Sequence, residues 1–301
     1  MEKWSYDSIP DQNNRIVFIT GANSGLGFQT SLMLAKKGAE IIMACRNHNK
    51  ALTAADDIRN VCPNAKLFTL KLDLSDLNSV VECAEKINAK YSHLDLIINN
   101  AGVMVPPFSR TKQGFELQFG TNHLAHFALT AQLFPLIKNV ENSRIVSVSS
   151  IAATMNYIDF NDLNYEHKKY RKWKAYSQSK LANLMFMREL ADKLKESGCK
   201  TISVAAHPGI SSTNLFKTAG FFGRKNILSI ISQSPEAGAL SVLRAACDSD
   251  VENGSYWGPS GVFGMKGAPS KAKIVSKALN RNLTEKLWDI SEKLTGVKYE
   301  F

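Results

Sequence analysis

The chain has 301 residues, 44% of them hydrophobic and 21% charged, which is enough for one large core and ordinary for globular material. No run approaches the ~18 apolar residues of a membrane span, and the opening MEKWSYDSIPDQ lacks the apolar centre of a signal peptide. Five scattered cysteines, Cys45, Cys62, Cys83, Cys199 and Cys247, form no C-x-x-C pair and argue against a disulfide framework or a metal site. The expectation is a cytoplasmic protein with no transmembrane anchor. The net charge of +10 is spread along the chain. Its one dense cluster (Lys168, Lys169, Arg171, Lys172, Lys174) reads as a solvated surface rather than a nucleic-acid site.

In chain order, short Ile- and Val-rich runs at 15–20, 40–45, 66–72, 94–99, 144–149 and 201–207 read as buried parallel strands. Helical patterns lie between and after them near 25–37, 49–60, 76–91, 112–138, 175–197 and 234–247. The alternation predicts one α/β domain over residues 1–301, a doubly wound Rossmann-type sheet, mostly parallel, of about seven strands with helices on both faces. Such a sheet binds its ligand outside the carboxyl ends of its strands. Residues 211–232 break the rhythm and predict a lid, with Leu215, Phe216, Phe221, Phe222, Ile227 and Leu228 closing one side of a cleft. Met104, Val105, Pro106, Pro107 and Phe108 are expected on the opposite wall.

The first strand runs straight into TGANSGLG, placing Gly21, Asn23, Ser24, Gly25, Leu26 and Gly27 at a strand–loop–helix junction. Glycines there permit a tight turn and close approach of a pyrophosphate, whose charge the helix N-terminal amides bind. The second strand ends in Arg46 where a carboxylate would select NAD, so NADP(H) is expected over NAD(H). Asp73 and Leu74 end the third strand, where a carboxylate could accept the adenine amino group. Asn99, Asn100, Ala101 and Gly102 end the fourth, with small residues where a backbone passes a ribose. Tyr176 and Lys180, in YSQSK, share a helix face one turn apart. A neighbouring ammonium favours the phenolate, and bringing a tyrosine from ~10 to ~7 takes about 4 kcal/mol. The six histidines form no H-x-E or H-E-x-x-H pattern and read as structural or surface residues.

Gly21-x-x-x-Gly25-x-Gly27, Asn99-Asn-Ala-Gly102, Asn122, Ser150, Tyr176-x-x-x-Lys180 and His207-Pro-Gly209 together resemble the short-chain dehydrogenase/reductase superfamily, in order and spacing over nearly the whole chain. TGANSGLG, ACRN, HLAHF and YSQSKLANLMFMREL resemble its retinol dehydrogenase-like branch and the bacterial relatives of that branch. The resemblance implies an NADP(H)-dependent oxidoreductase acting on an alcohol/carbonyl pair. It implies that Ser150, or its neighbour Ser149, hydrogen-bonds the substrate oxygen and that Tyr176 is the acid or base. Lys180 would lower the Tyr176 pKa and hold the nicotinamide ribose, and Asn122 would hold a water joining Lys180 to solvent. Pro208, Gly209 and Thr213 would fix the carboxamide. The expected substrate is a small apolar carbonyl or alcohol, a lipophilic aldehyde or ketone, handled by a monomer or homo-oligomer. Two other readings stand beside it. One is a non-catalytic NADP(H)-binding sensor or scaffold. The other is a protochlorophyllide reductase-like enzyme, disfavoured because Ile210 follows Pro-Gly where those proteins carry Cys.

Overall fold

The computed structural model describes residues 4–210 and 232–301. Strands β1 (Ile16–Thr20), β2 (Glu40–Cys45), β3 (Leu67–Lys71), β4 (Leu96–Asn99), β5 (Arg144–Val148), β6 (Ile202–Ala206), β7 (Tyr256–Pro259) and β8 (Pro269–Lys271) form one sheet in the order β3-β2-β1-β4-β5-β6-β7-β8. Every neighbouring pair is parallel except β7 with β8. The eighth strand extends the expected sheet by an antiparallel edge. PSK carries no β-branched residue and opens on Pro269, which suits only an edge and gives little signal in sequence.

Strand side chains alternate between two apolar layers. Val17, Ile19, Ile41, Met43, Val146 and Val204 meet α1 (Gly25–Lys36), α2 (His48–Val61) and α7 (Pro235–Cys247). Phe18, Ile42, Ile97 and Ile145 face α3 (Leu77–Lys90), α5 (Ala125–Leu133) and α6 (Lys172–Glu196). Both faces being covered is why the strands read as continuous apolar runs. Over α5 and α6 lies α8 (Arg281–Thr295) with the segment after it. Trp288 and Tyr299 set their rings 4.9 and 5.2 Å from Phe127, and the Tyr299 hydroxyl donates to the Phe127 carbonyl at 2.9 Å.

The helix expected at 112–138 is interrupted. A turn closed by Phe115 N–H to Thr111 Oγ1 and an isolated bridge between Arg110 and Glu116 occupy its first residues. A short α4 (Leu117–Phe119) then passes through a π turn, Gly120–Leu124, into α5. Asn122 sits inside that π turn, the kind of irregularity often found at functional sites. The chain leaves β1 for β2 and β3 and returns to β4 beside β1. The carboxyl ends of β1 and β4 therefore form the crevice that this topology offers to a ligand.

Candidate active site

At the end of β1, Gly21 takes φ +66° and donates its N–H to the Ala44 carbonyl at 2.7 Å, turning the chain into α1. A Cβ on Gly27 would lie 2.3 Å from the Gly21 carbonyl oxygen and 2.5 Å from Asn100 Nδ2, so no side chain fits there. Ser24 is the N-cap of α1, yet its side chain accepts no bond from the first turn. The helix therefore presents amides free of a side-chain cap beside the glycine loop, which is what an anionic phosphate requires. Asn23, Gly25 and Leu26 complete this loop and first turn. Arg46, at the end of β2, is exposed, and Asp73 spends one carboxylate oxygen on Ser75 N–H and Oγ at 2.9 and 2.7 Å. Leu74 beside it is buried.

Four residues meet beyond β4 and β5. Ser150 caps the 3-10 turn Ile151–Thr154 and hydrogen-bonds Tyr176 from α6. Its neighbour Ser149 points elsewhere, donating to the Lys180 carbonyl at 2.8 Å and bonding Tyr256. Tyr176 is pushed up to about 12 by burial, with the Ser150 hydrogen bond pulling against it. Lys180 is pushed down to about 8 by burial. Its Nζ lies 6.0 Å from the Tyr176 ring centroid and donates to the Val148 carbonyl at 3.0 Å. The Lys180 ammonium is thus tied to the end of β5, beside the Tyr176 ring. A Cβ on Gly102 would come within 3.4 Å of Lys180 Nζ and 3.0 Å of Asn122 Oδ1, so the loop after β4 passes directly over both.

Asn122 grips that loop. Its Oδ1 accepts from Val103 N–H at 2.8 Å, and its Nδ2 donates to the Val103 carbonyl at 3.0 Å and to Ser179 Oγ at 2.9 Å. The Asn122 side-chain amide is thus committed to protein groups. Thr20, Ser179 and His126 carried no individual signal in the sequence, yet they tie the site together. Thr20 Oγ1 accepts the amides of Asn100 and Ala101, both at 2.9 Å, so its own hydrogen goes to His126 Nε2 at 2.9 Å. His126 must then carry its proton on Nδ1, which donates to the Asn122 carbonyl at 2.9 Å. Burial holds this ring neutral, at about 4. Asn99, the last residue of β4, donates Nδ2 to Thr130 Oγ1 at 2.9 Å, while its buried Oδ1 has no protein partner. His207 accepts the Gly209 amide at 3.3 Å, and Pro208 accepts from Gln233 Nε2 at 2.8 Å, which sets the loop after β6. Thr213 and residues 211–231 of the expected lid lie outside the described residues.

A glycine-turned helix N-terminus and a Ser–Tyr pair with a nearby lysine, on one doubly wound sheet, define a dinucleotide-fold oxidoreductase site. The chain belongs to the short-chain dehydrogenase/reductase family: the family's short chain dehydrogenase profile matches residues 15–220. Within it the chain is retinol dehydrogenase-like. It is 37% identical to mouse retinol dehydrogenase 12 over 289 residues, covering 95% of this chain and 88% of that one. It is 38% identical to human retinol dehydrogenase 13 over 293 residues, covering 94% and 85%. The crystal structure of an uncharacterised Mycobacterium paratuberculosis protein superposes with a TM-score of 0.84 at 37% identity over the whole of both chains. An Escherichia coli short chain dehydrogenase solved with NADPH shares the fold, with a TM-score of 0.66 at 24% identity over 82% of this chain and 96% of that one. Among the described residues no helix is long and apolar enough to cross a membrane.

Proposed function

We propose that this protein is an NADP(H)-dependent oxidoreductase that interconverts a lipophilic aldehyde or ketone with its alcohol. The observation that carries the reading is the hydrogen bond between half-buried Ser150 and buried Tyr176, beside Lys180 and beneath the loop that Asn122 holds. A pure binding protein has no use for a phenol so placed. Apolar Met104, Val105 and Ala152 pack with Tyr176, which suits an apolar substrate.

The cofactor would be held by the amides at Ser24–Gly27, by Arg46 at the adenosine 2′-phosphate, by Asp73 at the adenine and by Asn99–Gly102 along the ribose. Lys180, Pro208 and Gly209 would hold the nicotinamide half. Bound there, it supplies the hydride. The chain's own residues handle the proton. In reduction, Ser150 and Tyr176 hydrogen-bond the carbonyl oxygen. As carbon accepts the hydride, Tyr176 Oη–H gives its proton to that oxygen, leaving a phenolate that Lys180 stabilises electrostatically. With its pKa near 12, Tyr176 holds this proton at neutral pH until charge develops on the substrate.

The test is reduction of aldehydes and ketones of graded chain length, followed by NADPH absorbance. Wild-type turnover with NADPH is expected, and Tyr176→Phe should abolish it while keeping NADPH affinity. Equal inactivity of both proteins across a broad panel would favour a sensor. Arg46→Asp should weaken NADPH binding by about 2–3 kcal/mol and spare NADH. Wild-type affinity for NADH equal to that for NADPH would refute the cofactor assignment.

A further inference from the structure

His123 stands beside Asn122 inside the π turn, and its ring reaches α8. Ser291 Oγ donates to the Leu287 carbonyl at 2.7 Å, so in its contact with His123 Nε2 at 2.8 Å it accepts. The proton therefore sits on Nε2, and buried Nδ1 has no protein partner. The gap left between the ring and α8 has no room for a water. Burial pushes the imidazole down to about 3, with His126 adding to the shift, so the ring is neutral at ordinary pH. Phe119, Phe127 and Phe186 surround it, with centroids 5.2, 6.2 and 6.2 Å away. A phenyl ring would pack there without leaving an acceptor unsatisfied. Packing alone thus gives no reason for a histidine. The bond to Ser291, 168 residues further along the chain, does.

Two consecutive side chains of one π turn are thereby tied to two different elements. Asn122 holds Val103 on the loop after β4, and His123 holds Ser291 on α8. Turns of this kind are rare, and this is the one among the described residues. Gly102, next to Val103, passes over Lys180, where a Cβ on it would come within 3.4 Å of Nζ. Any shift of the turn is passed through Asn122 to the backbone above Lys180. We propose that His123, tethered by Ser291, is a positioning residue for the reaction. It holds the π turn so that Asn122 keeps Val103 and Gly102 in place over Lys180. A misplacement of about 1 Å costs an oriented reaction about a hundredfold in rate, so the tether acts on turnover more than on cofactor affinity. The proposal rests on the oxidoreductase reading of the same site.

The test uses three variants of the full chain. Ser291→Ala leaves the His123 Nε2 hydrogen buried with neither acceptor nor water to take it, so ring and turn must shift. His123→Phe keeps the bulk of the ring and removes the tether. Thr284→Ala, the control, removes another buried bond of α8, to Glu189 at 2.7 Å, with no bond to the π turn. With the fastest carbonyl compound of the chain-length panel, Ser291→Ala and His123→Phe should lower kcat about tenfold or more. Both should keep the NADPH Kd of wild type, and Thr284→Ala should keep kcat as well. Residue-resolved amide exchange gives a reading that needs no turnover. The Val103 amide, held by Asn122 Oδ1, should exchange faster in Ser291→Ala and His123→Phe but not in Thr284→Ala. An unchanged kcat or an unchanged Val103 exchange in both tether variants, or an equal loss in Thr284→Ala, would overturn the proposal. Should Ser291→Ala not fold, His123→Phe carries the test alone. If wild type turns over no carbonyl compound, the oxidoreductase reading fails and exchange decides. A Val103 amide as protected in His123→Phe as in wild type then sinks the tether, and a faster one upholds it.

Discussion

Lys180 shows how a site residue weighs on its own protein. Its folded pKa of about 8 lies below the ordinary 10.5, so the unfolded chain holds a proton more tightly than the fold does. Below pH 8 the buried ammonium is a constant cost, about 3 kcal/mol at 1.36 kcal/mol per pKa unit. Between pH 8 and 10.5 the unfolded state binds more protons and stability rises. Above pH 10 the raised Tyr176 reverses the slope, because the fold then retains the proton that the unfolded chain gives up. Lys180→Met should therefore raise stability near pH 7 and flatten the rise above pH 8, while ending activity. Val148 keeps a donor in that variant, Asn183 Nδ2 at 3.2 Å. Urea denaturation at several pH values measures this, and a less stable variant at pH 7 contradicts it. His126 carries the opposite expectation. In His126→Phe the Thr20 hydroxyl loses its acceptor and the Asn122 carbonyl its donor, both buried, at about 1–3 kcal/mol each. Equal denaturation midpoints for His126→Phe and wild type would show that the clasp contributes nothing.

At the scale of elements, most of the architecture was legible because the central strands are buried on both faces and long helices alternate with them. Gly21, Gly25 and Gly27 announced the first turn, since only a close approach explains glycine at Gly27. Tyr176 and Lys180 were legible as a pair because helix geometry joins them within one turn. What stayed hidden depends on partners far along the chain. Thr20 and His126 are 106 residues apart, and Gln118 and Tyr170 are 52. Each polar side chain has many conceivable partners, and periodicity selects none of them. The start of the fourth helical pattern was misplaced for a local reason. Thr111 and Glu116 spend their side chains on turn and capping amides, which halts the helix before Leu117. Glu116→Ala removes the acceptor of the Gln118 and Phe119 amides and of the Tyr170 hydroxyl together. Its destabilisation should exceed the ~1 kcal/mol of an ordinary N-cap loss, and thermal melting checks it.

The molecule as a whole is closed by aromatic packing over α5 and α6. Tyr299→Ala should cost about 3–5 kcal/mol, as for other large aromatic truncations, by emptying the space between Phe127 and Trp288. A midpoint within 1 °C of wild type would show the segment after α8 to be dispensable. The strand order has a further consequence, in the time domain. Gly21, Arg46 and Asp73 lie just past the carboxyl ends of β1, β2 and β3, which follow one another in sequence, whereas Asn122, Ser150, Tyr176, Lys180 and Gly209 arrive only after β4 has docked against β1. Pairings between distant segments form late, because loop closure must precede their reward. A refolding chain should therefore gain affinity for adenosine 2′,5′-bisphosphate before it gains affinity for the whole dinucleotide, so the two halves of one ligand become clocks for the two halves of the sheet.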